Sequence, residues 1–426
     1  MRNVNYFKNK RVVILGLARS GLSCANLLYD LGAIVSATDS QDNALTRQNA
    51  SALKSKDIKL ELGRHTPEFI KGNDIAVISP GVPDTAQPVV WANEQGVPVI
   101  SEIEVASILC PAQIIAITGT NGKTTVTTLI GKVLEASGKN AFILGNIGKP
   151  FTSEVASIKE DDFVSLEISS FQLEHIETFK PRISVILNLS RNHLDRYHDM
   201  HEYLAAKKRI FMNQDASDYL VLNFDDPLIR PLSEEAKAKT IYFYKDKKLN
   251  PNQSAVLAVA SILGIDREMA LKVFRGFKGV EHRLEEVADI SGIRFINDSK
   301  ATTVDATIWA LKNTPSPVIL IAGGREKGND YSLIRAIVKE KVKEVILIGE
   351  AKERIRDAFS GLFPIDSALS LEEAAVKAFK KAVPGDWVLF SPMCKSFDMF
   401  TDYEERGRVF KKAVYDLTRE KIKHGT

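Results

Sequence analysis

Residues 113–117 form an apolar run that leads into Thr118-Gly119-Thr120-Asn121-Gly122-Lys123-Thr124-Thr125, and residues 126–135 then carry helical periodicity. Few sequences constrain a fold as tightly as a strand, a glycine-rich turn and a helix opening on lysine and hydroxyl side chains. The N–H groups of such a turn and the positive end of the helix dipole converge on one point and make a cradle for phosphate. Lys123 can then reach terminal phosphates, and the Thr124 hydroxyl can hold Mg²⁺. Gly119, Thr120, Asn121, Gly122, Lys123, Thr124 and Thr125 are therefore the candidate nucleotide-binding residues. The general pattern has a glycine five residues before Gly122, where this chain has Ile117. The loop is a shortened variant, either an ordinary strand-to-helix turn or the mark of a narrower class of ATPase.

A chain of 426 residues exceeds one ordinary core, so two or three domains are expected. Hydrophobic content of 44% with 26% charged residues describes a soluble globular protein. Lys plus Arg number 57 against 54 for Asp plus Glu, a balance that gives no electrostatic case for nucleic acid as the main partner. The basic run 406–423 alternates with apolar residues at helical spacing and reads as a solvated helix face. Cys24, Cys110 and Cys394 are too scattered for a disulfide framework or a zinc site. No apolar run approaches a membrane span. Lys8, Lys10 and Arg11 before residues 12–18 imitate a signal peptide, but Arg19 cuts the run short, so a cytoplasmic protein is expected.

The N-terminal third alternates strands at 11–15, 34–38 and 75–79 with a helix at 22–31. A second unit starts at the phosphate loop and contains near-continuous apolar runs at 163–167 and 183–189, as in buried parallel sheets. A third carries strands at 294–297, 318–322, 345–348 and 387–390 with helices at 332–340 and 371–382. This predicts three α/β domains in series: a Rossmann-like N-terminal domain (1–104), a central phosphate-loop domain with a parallel sheet (105–281) and a Rossmann-like C-terminal domain (282–426).

Several loops after these strands carry chemistry. Gly16-Leu17-Ala18-Arg19-Ser20-Gly21 has alanine where a dinucleotide fingerprint has its middle glycine, and Asp39 follows the second strand. NAD, another nucleotide-like ligand, or a purely structural turn all remain open on that evidence. Glu167 ends an apolar strand, a usual place for a Mg²⁺ ligand, and an isolated buried acid is costly without such a role. His193, past the run 183–189, is a candidate metal ligand or substrate contact. A helix at 203–211 carries Lys207 and Lys208, between which the residues alone do not choose. In the third unit, Arg283, Lys300 and Lys327 bring cations to loops at strand ends, which suits phosphates and carboxylates.

The short loop, together with Ser79-Pro80-Gly81, Gly145-Asn146-Ile147-Gly148, residues 166–174, 193–197, 297–302 and 391–407 with Ser396-Phe397-Asp398, resembles the Mur ligase family, the ATP-dependent amide ligases of peptidoglycan precursor synthesis. The resemblance covers essentially the whole chain and accounts for Ile117. It implies ligation of D-glutamate to UDP-N-acetylmuramoyl-L-alanine through an acyl phosphate, by a bacterial cytoplasmic enzyme, expected to be a monomer without nucleic-acid or membrane partners. Arg19, Ser20, Asp39, Ser40, Ser79, Gly81 and Asn146 would bind the UDP substrate. Lys123 would contact the γ-phosphate, with Arg283, Asp298 and Lys300 also on ATP. Thr124 and Glu167 would hold one Mg²⁺, and His193 with a carbamylated Lys207 a second. Thr302, Lys327, Ser396 and Phe397 would receive D-glutamate. The chain departs from the family at Asn192, usually acidic, and at Ala255, usually an asparagine three residues after Asn252. The segment between Asp226 and Asn252 is also shorter than the family's. A ligase of the family using another amino acid or extending folate, a non-catalytic nucleotide-binding homologue, and an NAD-dependent oxidoreductase are the competing readings.

Overall fold

The computed structural model describes residues 1–190, 196–326 and 328–424. The chain divides into two compact units, Met1–Phe277 and Lys278–Thr426. The first unit holds two parallel sheets. Strands β1 (Arg11–Leu15), β2 (Ile34–Asp39), β3 (Lys59–Leu62), β4 (Ile75–Ile78) and β5 (Val99–Ser101) are ordered β3-β2-β1-β4-β5, the Rossmann-like arrangement expected. The second sheet contains β6 (Gln113–Thr118), β7 (Ala141–Gly145), β8 (Phe163–Glu167), β9 (Ile183–Ile186), β10 (Tyr219–Asn223) and β11 (Lys239–Phe243), ordered β11-β10-β9-β6-β8-β7. Here β6 lies between β8 and β9, with Ile117 opposite Glu167 and Thr118 opposite Ile186. The chain leaves β6 toward one side of the sheet and later crosses to the other. The turn after β6 therefore opens at a switch point, where open α/β sheets bind ligands.

Burial explains the unbroken apolar runs. Ile114 and Ala116 face one buried cluster, and Ile115 and Ile117 face another, so both sides of β6 are covered. The first cluster also takes in Val12 and Ile14 of β1 and Ile103 and Leu109 of the helix Glu102–Leu109, so it is shared by both sheets of this unit. That helix spans the 104/105 position at which the sequence reading divides the first two domains.

The second unit holds β12 (Glu285–Ile290), β13 (Ile293–Asn297), β14 (Val318–Gly323), β15 (Val342–Ile348), β16 (Ile365–Ser367) and β17 (Trp387–Phe390), ordered β12-β13-β17-β14-β15-β16. All of its pairings are parallel except β12 with β13. The helix Tyr403–His424 packs Phe410, Val414 and Leu417 under this sheet, with the Phe410 ring 4.9 Å from that of Phe390. The basic run read as a solvated face thus has a buried apolar stripe, and Arg406 on it is buried as well.

Boundaries shift where side chains compete with propensity. The helix expected from residue 126 begins at Lys123, because Gly122 takes a left-handed conformation and opens it. The helix expected at 203–211 begins at Met200, where the Asp199 carboxylate accepts from the N–H groups of His201 and Glu202. It closes in a 3₁₀ turn, Arg209–Phe211. The stretch expected as a helix at 332–340 is a 3₁₀ turn, Tyr331–Ile334, followed by the α-helix Arg335–Lys341. The strand expected to reach residue 189 ends at Ile186, and the residues after it turn to the phosphate loop. Among the described residues, no helix is long and apolar enough to cross a membrane.

Candidate active site

The phosphate loop is pinched from two sides, and its two glycines make that possible. At Gly119 (φ +149°) a Cβ would stand 3.0 Å from the Leu187 Cβ and 3.3 Å from the Asn188 N. At Gly122 (φ +83°) it would overlap the Asn252 side-chain amide, on the helix Pro251–Ile262. The helix Lys123–Ala136 has no side-chain cap and no acid in its first turn, so its positive end is uncompensated by its own residues. Lys123 Nζ donates to the Gly119 and Thr120 carbonyls, both at 2.9 Å. The Thr124 Oγ1 is buried and, among the described residues, has no hydrogen-bond partner. Thr120 and Asn121 shape the cradle rather than line it with donors. The Thr120 N–H goes to the Asn188 carbonyl at 3.0 Å and the Asn121 N–H to Asn188 Oδ1 at 2.8 Å. Gly122, Thr124 and Thr125 occupy the cap and first turn of the helix, where N–H groups lack intrahelical acceptors.

An acid and a second lysine lie beside the loop. Glu167, at the end of β8, is fully buried, and its Oε1 accepts from Asn146 Nδ2 at 2.9 Å. The Asn146 N–H also donates to the Glu167 carbonyl at 2.9 Å, so the turn after β7 is fastened to the end of β8. Lys207 is 1% exposed. Its Nζ donates to the Gly119 carbonyl at 3.0 Å and lies 4.5 Å from the centre of the Tyr203 ring. Burial and the neighbouring Lys123 ammonium hold the Lys207 amine well below the usual lysine range, against the opposing pull of Glu167. Lys208, its sequence neighbour, pairs instead with Glu235. The structure therefore separates two lysines that the sequence alone left equal.

A buried hydroxyl oxygen and a carboxylate flanking a phosphate cradle form an all-oxygen donor set that fits Mg²⁺. This ion commonly takes one or two protein ligands and fills its octahedron with phosphates and water. Among the described residues, the clusters rich enough to cage a metal unaided are Asp84–Glu174–His175 and Glu281–His282–Glu285, and neither includes loop residues. His193 lies outside the described residues, so the second metal expectation rests on Lys207 alone here.

In the Rossmann-like sheet, the expected residues gather at the C-terminal ends of three adjacent strands. Arg19 and Ser20 open the helix Arg19–Asp30 after β1, Asp39 ends β2 with Ser40 next to it, and Ser79 and Gly81 follow β4. Asp39 accepts the Leu17 N–H at 2.8 Å and the Gln41 N–H at 2.9 Å, one on each carboxylate oxygen. The Ser79 hydroxyl donates to the Gly16 carbonyl at 2.8 Å. These two residues thus brace the turns, while Arg19, Ser40 and Gly81 are exposed.

In the second unit, Asp298 is buried and accepts from the Ser391 hydroxyl at 2.9 Å and the Leu284 N–H at 3.2 Å. Burial pushes its carboxyl up to about 7, although Ser391, Leu284 and Arg283 all pull the other way. Arg283 is exposed, and Lys300 Nζ lies 5.4 Å from the Tyr403 ring centre. Thr302 is half-buried, Ser396 buried and Phe397 exposed. Lys327 lies outside the described residues. Two residues to which the sequence reading gave no role organise these loops. Arg406 donates to the Ser299 hydroxyl (3.0 Å), the Ser299 carbonyl (2.7 Å) and the Cys394 carbonyl (3.0 Å), tying two polar loops to the last helix. Asn297 Nδ2 contacts His282 Nδ1 at 2.9 Å and Glu285 Oε2 at 3.0 Å. One arginine in a basic amphipathic run carries no sequence signal that would single it out.

Comparison with known proteins agrees in chain order. The Mur ligase MurD-like N-terminal domain matches residues 10–101, the Mur ligase middle domain residues 117–269, and the Mur ligase glutamate ligase domain residues 282–394. The protein named UDP-N-acetylmuramoylalanine–D-glutamate ligase in Chloroherpeton thalassium is 41% identical, aligned over 96% of this chain and 99% of its own. That of Geotalea uraniireducens is 41% identical over 96% and 98%. Among solved structures, the UDP-N-acetylmuramate-alanine ligase MurC of Thermotoga maritima superposes with a TM-score of 0.61 at 18% identity, covering 96% of this chain and 99% of that one. The MurF ligase of Thermotoga maritima in complex with ADP gives 0.57 at 14% identity, covering 98% and 97%. Those two structures share the fold alone, whereas the two relatives are 41% identical over 96% of the chain and the three domain models match in order along it, and on that ground the chain belongs to the Mur ligase family.

Proposed function

We propose that this protein is an ATP-dependent amide ligase that joins D-glutamate to UDP-N-acetylmuramoyl-L-alanine, as its full-length relatives are named for doing. Residues 1–104 would take the uridine nucleotide, 105–281 ATP, and 282–426 D-glutamate. The observation that carries the ATP part is the loop itself: Lys123 over two carbonyls, a buried Thr124 hydroxyl with no partner among the described residues, and a helix end uncompensated by its own residues beside buried Glu167. The substrate choice rests on the relatives' names.

A carboxylate is a poor acyl donor, so the L-alanyl carboxylate oxygen attacks the γ-phosphorus of ATP, ADP departs, and an acyl phosphate forms. The D-glutamate amine attacks the acyl carbon, loses its proton to solvent, and phosphate leaves with the broken C–O bond. Negative charge sits on phosphoryl and acyl oxygens throughout, so fixed cations and N–H dipoles do most of the work. Lys123, once it exchanges its loop carbonyls for phosphate oxygens, neutralises the γ-phosphate. Gly122, Thr124 and Thr125 offer N–H groups from the helix end. Thr124 and Glu167 would hold Mg²⁺, which screens the phosphates when bound. Asn146 holds Glu167 in place and would help place the acceptor substrate. The buried Lys207 amine, held well below the usual lysine range, suits carbamylation, in which the nitrogen adds CO₂ and releases a proton, making a carboxylate-like ligand. Arg283, Asp298 and Lys300 would contact ATP, and Thr302, Lys327, Ser396 and Phe397 would receive D-glutamate.

The test is phosphate release with purified protein, Mg·ATP, UDP-N-acetylmuramoyl-L-alanine and a panel of amino acids. Turnover should require the uridine substrate and D-glutamate together. Turnover with L-alanine or a diamino acid instead would reassign the substrate, and ATP binding without turnover would reassign the protein as a non-catalytic homologue.

A further inference from the structure

We propose that Asn188 is a positioning residue for ATP, one that sets which peptide N–H groups of the phosphate loop face the phosphates. This rests on the reading of the loop given above. Strand β9 ends at Ile186, but its pairing with the chain after β6 continues past the sheet. The Leu187 N–H donates to the Thr118 carbonyl at 3.1 Å, and the Thr120 N–H to the Asn188 carbonyl at 3.0 Å. At the next step the side chain takes over. Asn188 Oδ1 accepts the Asn121 N–H at 2.8 Å, and Asn188 Nδ2 donates to the Asn121 carbonyl at 2.9 Å. This reciprocal pair fixes the amide orientation, because an N–H requires the oxygen and a carbonyl requires the NH₂.

Peptide planarity converts that pair into a functional constraint. In a trans peptide the C=O and the following N–H point in opposite directions. With the Asn121 carbonyl held toward Asn188, the Gly122 N–H is held on the opposite side of the same plane. Gly122 is left-handed and has no side chain, so nothing intrinsic to it resists a flip of the 121–122 peptide. A flip would replace a donor with a carbonyl oxygen facing the anion, and Asn188 opposes it directly. The Asn121 N–H is also withdrawn from the cradle, so the loop's donors begin at Gly122. Gly119 allows the approach, because any Cβ there would press on Leu187 and on the Asn188 backbone. Asn121 is exposed and Asn188 only half-buried, so the pairing adds little to the core.

Asn188→Asp keeps the acceptor and removes the donor, and Asn188→Ala removes both. Both variants should weaken Mg·ATP binding about tenfold or more, the worth of one to two hydrogen bonds. AMP lacks the β- and γ-phosphates that the loop grips, so its binding should change less than twofold. The Tm and the binding of UDP-N-acetylmuramoyl-L-alanine should stay as in the unaltered protein, and the KM for ATP should rise more than kcat falls. Unchanged ATP affinity in folded Asn188→Asp would overturn the proposal. So would equal losses for ATP, AMP and the uridine substrate with a lowered Tm, which mark a general structural role. Failure of the unaltered protein to bind ATP at all would instead overturn the reading of the loop, and this proposal with it.

Discussion

Lys207 and Asp298 are both buried ionisable groups whose surroundings favour the neutral form, and they lead to different expectations. For Lys207 a neutral amine next to Glu167 and the loop is a nucleophile for CO₂. Lys207→Ala should lose ligase turnover by more than the roughly 10- to 100-fold seen when a partner of a metal ligand is removed. Bicarbonate cannot restore a missing side chain, but a short-chain carboxylic acid entering the vacated space should recover part of the rate. Unchanged turnover in the variant, measured by phosphate release, would end the carbamate assignment. For Asp298 the expectation is a pH dependence of stability. Its carboxyl is raised to about 7 in the folded chain, against an ordinary aspartate when unfolded. The native state therefore keeps a proton that the unfolded state loses. Its contribution is most favourable below the unfolded pKa and declines as pH rises through about 4 to about 7, after which it is flat. Asp298→Asn keeps the shape and can still pair with the Ser391 hydroxyl. Urea midpoints from pH 4 to 8 should show the variant gaining on the unaltered protein across that window, by about 1.4 kcal/mol for each tenfold difference in proton affinity between the folded and unfolded chain. Parallel curves would show that Asp298 is an ordinary carboxylate.

At the scale of elements, the phosphate loop works because its neighbours leave it one conformation. Gly122 is the sensitive point. An alanine there must adopt φ +83° and push into the Asn252 amide, with about 1–2 kcal/mol for the left-handed backbone alone. Gly122→Ala should therefore abolish measurable Mg·ATP binding by calorimetry while lowering Tm only modestly; retained affinity would show that the loop tolerates rearrangement. The elements easiest to read from sequence were those buried on both faces. The strands β8 and β17 match their expected limits of 163–167 and 387–390, because both are short, apolar and stopped by polar residues. The edge strand β3 was not anticipated. Lys59-Leu60-Glu61-Leu62 is half-exposed and carries a charge at every other position, a pattern too short to stand above loop composition. The residues around the site were less legible than the loop. Asn188 and Arg406 act through contacts between segments far apart in sequence, and a lone asparagine or arginine has no spacing to give it away. Asp39, expected to meet ligand, also has a bracing part: one carboxylate oxygen holds its own turn and the other the turn after β1.

At the scale of the whole molecule, the sheet ending in β5 and the sheet beginning at β6 fall in one compact unit, and the helix between them is anchored by buried acids. Glu104 is 1% exposed, and its carboxylate accepts the N–H groups of Glu177 (3.0 Å), Thr178 (2.8 Å) and Phe179 (3.0 Å). Glu102, two residues earlier, accepts the Thr152 N–H at 2.7 Å and its hydroxyl at 2.8 Å. Acids at the first turn of a helix suit its dipole, and here each also reaches across to the second sheet's side of the shared core. A hydrogen bond is worth about 0.5–1.5 kcal/mol net, and a buried polar group stripped of its partner costs about 1–3 kcal/mol. Residues 1–277 should consequently unfold in one cooperative transition despite containing two sheets, and residues 278–426, with their own buried clusters, in another. Glu104→Gln keeps the volume, replaces one acceptor oxygen with a donor facing backbone N–H groups, and should lower the first transition by several degrees. The second should stay fixed in the same calorimetric scan. A single transition moved as a whole would mean that the two units unfold together, and splitting of the first into two would mean that the acids, more than the shared apolar core, hold its two sheets as one.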